Sequence, residues 1–155
     1  MNQGTRGSFK VGTLLANALT IGAHVLRSVQ VPLTSAQILA LNATPVELVP
    51  APGAGKIISV EEIVLKMIRT ATAYANGGAL EFRYTNASGA KVTADIAASV
   101  VTTGGAGTEY NLVKGVVTSL TPVANAAVVV DNATAAFITG TGTAVVTVRY
   151  RIVTP

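Results

Sequence analysis

The stretch TAVVTVRYRIV, Thr143–Val153, alternates in character with a period of two. Val146, Val148, Tyr150 and Ile152 share one face, and Thr147, Arg149 and Arg151 share the other. An extended chain sends successive side chains to opposite faces, so this stretch predicts a long strand with one side against a core. The stretch ALEFRYT, residues 79–85, repeats the pattern: Leu80, Phe82 and Tyr84 point one way, Glu81 and Arg83 the other. Between them in legibility stands residues 56–69, containing IISVEEIVLKMIR. The spacing of Ile58, Ile63 and Met67 admits a helix, whereas the density of Val and Ile directly after a Gly turn favours a strand. In the strand reading, the consecutive Glu61 and Glu62 mark a bulge or a corner.

Working outward, residues 29–33 read as a strand whose Pro32 assigns it to an edge or an end. Thr34 and Gln37 have capping-box spacing, which predicts a helical turn over residues 36–41. A strand over 46–49 is bracketed by Pro45 and Pro50, and PAPGAGK, residues 50–56, is a turn. Asn76, Gly77 and Gly78 supply positive φ for another. A turn at 86–89 leads into residues 91–96, completing a hairpin. Strands are expected again at 126–131 and 135–139. Residues 102–108 form a loop, and NLVKGVVTSL, residues 111–120, suits either a strand or a helical turn. About eight strands at roughly ten-residue spacing imply an all-β fold, a β-sandwich or jelly roll. The reading divides the chain into an N-terminal arm, residues 1–26, and a sandwich domain, residues 27–155.

Charged residues make up 12% of the 155 residues, against roughly 25% in an ordinary soluble domain. A small monomer needs charge on its solvent face, so this deficit points to a subunit partly covered by neighbours. The net charge of +4 raises the possibility of nucleic acid, but the basic residues are scattered and lack interleaved aromatic rings for stacking bases. Direct nucleic-acid binding is therefore not expected.

The chain has no cysteine and one histidine, His24. Disulfides, thiolate nucleophiles and thiolate metal sites are excluded together, and no carboxylate cluster has metal-ligand spacing. Neither a metal nor another cofactor is expected. Gly53, Gly55 and Lys56 lack the spacing of a phosphate loop, and Ile57 stands where its hydroxyl would be. His24, flanked by Ala23 and Val25, has no nucleophile near it in sequence. The chain therefore reads as a non-enzyme. Of its four tyrosines, Tyr84 and Tyr150 alternate in phase with apolar neighbours, leaving Tyr74 and Tyr110 as loop residues able to contact a ligand such as a glycan.

Residues 1–26 begin with polar and Gly residues, then present an apolar run broken by Gly12, Thr13, Asn17, Thr20, Gly22 and His24. The run is too short and too interrupted for a membrane span, which needs about 20 predominantly apolar residues, and reads as an arm rather than a secretory leader. Arg6, Phe9, Lys10, Leu14, Leu15 and Leu19 are its candidate assembly contacts.

The stretch VPLTSAQILALNATPVELVPAPGAGKIISVEEIVLKM, the Tyr and Gly-Gly loop after it, and the closing TAVVTVRYRIV resemble small virion structural proteins of tailed bacteriophages. The resemblance covers residues 31–153 and involves no catalytic signature. It implies a β-sandwich or jelly-roll subunit, often trimeric, that decorates the capsid as a cement protein or belongs to the tail and its fibres. Its implied partners are other copies of itself and the major capsid protein or other virion proteins. Its implied location is the phage particle, assembled in the host cytoplasm.

Overall fold

The computed structural model describes residues 25–115, 122–132 and 134–154. Nine strands and two short helices follow one another as β1 (Arg27–Leu33), α1 (Ser35–Ala40), β2 (Val46–Val49), β3 (Ile57–Arg69), β4 (Ala75–Asn76), β5 (Glu81–Tyr84), α2 (Ser99–Thr102), β6 (Gly107–Lys114), β7 (Val128–Asp131), β8 (Phe137–Ile138) and β9 (Thr143–Val153). They form an all-β sandwich. One sheet has the order β1-β9-β3-β6 and the other β2-β7-β5, while β4 and β8 form a separate two-stranded ribbon. All pairings are antiparallel.

The inward faces of the two sheets merge into one core. Ile58, Ile63, Leu65 and Met67 of β3 and Val146 and Val148 of β9 meet Phe82 and Tyr84 of β5 and Val128 and Val130 of β7. Each large side chain so buried contributes about 2 kcal/mol of transfer free energy. Tyr84 also donates its hydroxyl to the Ile58 carbonyl, tying the two sheets together through a satisfied buried polar group.

Residues 57–69 form a strand, as their β-branched density favours. The two acids mark a break in its register: Val60 faces Tyr150, whereas Glu62 faces Arg149. This bulge aims Glu61 and Glu62 at the basic residues of β9, with Arg149 2.9 Å from Glu62 and Arg151 3.2 Å from Glu61. The only close basic pair in the sandwich sequence is thus matched by acids. The capping box also forms: the Gln37 amide donates to the Thr34 hydroxyl at 3.2 Å, and the Thr34 amide donates to Gln37 Oε1 at 2.9 Å. Ile38 and Leu41 then drop into the core.

Elsewhere the structure departs from expectation. Residues 91–96 are not a regular strand. From Arg83 to Leu80 is three steps along β5, but their partners Lys91 and Ile96 lie five steps apart, so two extra residues loop out. Within this irregular stretch Thr93 bridges to Gly115, next to β6 in the other sheet. The segment therefore pairs irregularly with β5, through Val92 to the Phe82 carbonyl and Ile96 to the Leu80 carbonyl, and at Thr93 also reaches the other sheet. Residues 75–76, read as loop, form β4 against β8, and the strand expected at 135–139 shrinks to Phe137–Ile138. Residues 107–114 resolve to a strand, and α2 was not anticipated.

Candidate functional site

The outward face of the larger sheet carries its alternate residues: Val64, Lys66 and Ile68 from β3, Thr108, Tyr110 and Leu112 from β6, and Val145 and Thr147 from β9. Their register sets Leu112 and Thr147 on either side of Val64, and Tyr110 and Val145 on either side of Lys66. Tyr110 is 66% exposed and Leu112 54%, on neighbouring outward positions of one strand. The Lys66 ammonium lies 5.8 Å from the centroid of the Tyr110 ring, an attraction of about 0.5–1 kcal/mol at an exposed site. The result is an aromatic and aliphatic patch around Lys66, bordered at the bulge end by Glu62, Arg149 and Lys114 in the same register, on a face that no other described element covers.

A second cluster lies on the smaller sheet. Glu81 and Asp131 are register partners on β5 and β7. The Arg83 guanidinium bonds the Glu81 carboxylate, and its Nε lies 3.6 Å from Asp131. Lys91 spans Glu81 at 3.2 Å and Asp95 at 2.7 Å. The polar side of β5, expected to face solvent, is consequently covered: Glu81 is 8% exposed and Asp131 0%. Burial pushes the Asp131 carboxyl above the ordinary carboxylate range, against the opposing pull of Arg83. Hydrogen bonding to Asp95 holds the Lys91 ammonium above its usual value. The sequence offered no sign of this carboxylate pair, because cross-strand neighbours follow from strand order.

The two tyrosines separate. Tyr74 is 3% exposed, packs edge-on against Phe137 at 5.9 Å and donates its hydroxyl to the Gly142 carbonyl at 2.6 Å. Burial pushes its phenol up to about 12. It is a core residue, not a loop contact, because the β4–β8 ribbon folds its loop inward. Tyr110 is exposed, but on β6 instead of a loop. The arm residues Arg6, Phe9, Lys10, Leu14, Leu15 and Leu19, and His24, lie outside the described residues. The Gly-rich 50–56 turn is tied to the body: the Gly53 amide donates to Asn125 Oδ1 at 2.9 Å and the Asn125 amide to the Lys56 carbonyl at 2.8 Å. A shallow surface crevice, too tight to hold a water molecule, is bounded by Met67, Arg69, Thr70, Tyr74, Val101 and Thr103 and shares no residue with the charged cluster.

Among the described residues no group of three or more His, Asp or Glu side chains is placed to hold a metal ion, and no helix is long and apolar enough to cross a membrane. Comparison of the chain with protein-family models, curated proteins and solved structures finds no match.

Proposed function

We propose that the chain is a structural virion protein, a capsid decoration or cement subunit that binds and stabilises a phage head lattice without catalysing a reaction. The observation that carries this reading is the exposed face bearing Tyr110 and Leu112 on a chain with 12% charged residues. Such a surface loses apolar area to water when it docks, and few charges oppose docking. The resemblance to small virion proteins and the apolar composition of residues 1–26 support it. In this reading the sandwich supplies a rigid body and the arm, through Phe9, Leu14, Leu15 and Leu19 with Arg6 and Lys10, supplies attachment. Many weak arm contacts in one lattice add up by multivalency.

A second reading places the same body in the tail or its fibres. It is favoured by the Tyr110 ring, which with Lys66 offers a stacking platform for a host glycan. Co-sedimentation with particles lacking the protein tests the first reading. The core found among the described residues is assembled from residues 33–148, so a chain lacking residues 1–26 is expected to stay folded and to lose at least 10-fold in particle binding. Undiminished binding by the truncated chain contradicts the role given to the arm. Binding of the full chain to host cells, abolished by Tyr110→Ala, would instead favour the tail.

A further inference from the structure

The two larger sheets present four lateral edges, at β1 and β6 and at β2 and β5. An unpaired edge strand is a template for another strand, and folded proteins blunt such edges with proline, bulges, brevity or cover. Three of these edges are blunted. The edge strand β1 carries Pro32. The strand β2 has four residues, shifts register between Glu47 and Val49 and stops at Pro50. The strand β5 is covered by the chain that follows it, with Tyr84 donating to the Ala90 carbonyl at 3.0 Å and Val92 donating to the Phe82 carbonyl at 2.8 Å.

The fourth edge is different. Strand β6 has eight residues, no proline and an unbroken register against β3. Its charged residues are Glu109, 2.8 Å from Arg69, and Lys114 at its end. Among the described residues β6 is paired on its far side only past its end, by the single bridge between Thr93 and Gly115. The phase of the ladder follows from one bond: the Gly115 amide donates to the Glu61 carbonyl at 2.9 Å. Antiparallel alternation then turns the amides and carbonyls of Val113, Asn111, Glu109 and Gly107 toward β3. Those of Thr108, Tyr110 and Leu112 point to the open edge.

We infer that β6 is the edge through which the chain associates with a second copy of itself, β6 to β6 and antiparallel, about a two-fold axis at Tyr110. Only this register pairs all three open residues: Tyr110 faces Tyr110 of its mate, and Thr108 and Leu112 face each other twice. A shift of two residues leaves one of them without a partner. The side chains agree with the backbone. Tyr110 gains an aromatic cross-strand neighbour, Leu112 loses water on its edge side, and Glu109 falls opposite Asn111, so no like charges face each other across the seam. Such a contact is isologous and closes at two copies, in place of the three-fold association that the resemblance implies. The seam joins the four-stranded sheets of two copies into one continuous sheet.

The pairing is independent of whether the protein sits on a head or a tail, so its failure leaves that question where it stands. Sedimentation equilibrium of the full chain at concentrations up to about 100 μM is expected to give twice the 15.7 kDa chain mass. Tyr110→Pro removes an edge-facing amide without touching the ladder to β3, and is expected to weaken the dimer at least 10-fold while the circular dichroism spectrum is retained. Because the chain has no cysteine, Tyr110→Cys on oxidation should yield a cross-linked pair, whereas Thr147→Cys, two strands in from the edge, should not. A monomeric mass at 100 μM, a three-copy mass, undiminished pairing in Tyr110→Pro or equal cross-linking at both positions would each overturn the inference.

Discussion

Asp131 is the residue at which burial and charge conflict most sharply. Its carboxyl is fully covered, and among the described residues its nearest cation is 3.6 Å away and neither oxygen has a hydrogen-bond partner. A carboxyl raised in the folded state binds its proton more readily there than in the unfolded chain. Its contribution to stability is therefore greatest below the unfolded carboxylate range and is lost as pH rises through the folded value. Asp131→Asn keeps the shape and removes the buried charge, while Arg83 retains Glu81. We expect this variant to be more stable than the parent near pH 7 by about 1 kcal/mol, with the advantage vanishing by about pH 3, below the unfolded carboxylate pKa. Urea unfolding at both pH values measures it; a variant less stable at pH 7 would show that the Arg83 contact outweighs the burial of the carboxylate.

At the scale of elements, the bulge in β3 sets the register between β3 and β9. It lets Glu61 and Glu62 meet Arg151 and Arg149, and it lies opposite Gly115, where a Cβ would stand 2.0 Å from the Val60 carbonyl oxygen. Gly115→Ala is expected to cost about 2 kcal/mol or more through the resulting backbone shift, read as a lowered unfolding midpoint; an unchanged midpoint would mean that the bulge relaxes freely. The bulge was legible in sequence because two adjacent acids interrupt an otherwise apolar alternation. The α1 cap was legible because Thr34 and Gln37 signal locally, and β9 because its alternation is long. The β4–β8 ribbon was not, since two-residue strands carry no periodicity, and with it went the burial of Tyr74. The pairing of Glu81 with Asp131, fifty residues apart in sequence, depends on strand order, which local pattern does not encode. Leu112 had no distinguishing signal until β6 proved to be an edge.

For the whole molecule, the low charge, the exposed face of the larger sheet and the composition of residues 1–26 support the proposed reading of a part that works by contact. A sandwich that has, among the described residues, three blunted edges and one open strand is a body that extends by pairing, and its exposed Tyr110 and Leu112 lie on that strand. Decoration of a lattice uses these properties together: rigid shape, modest individual contacts and many copies. Electron cryo-microscopy of intact particles from a phage encoding this chain tests that claim most directly. The expected result is density for the sandwich repeated across the lattice of the head. Density for a few copies confined to the tail, or none on the particle, would contradict it.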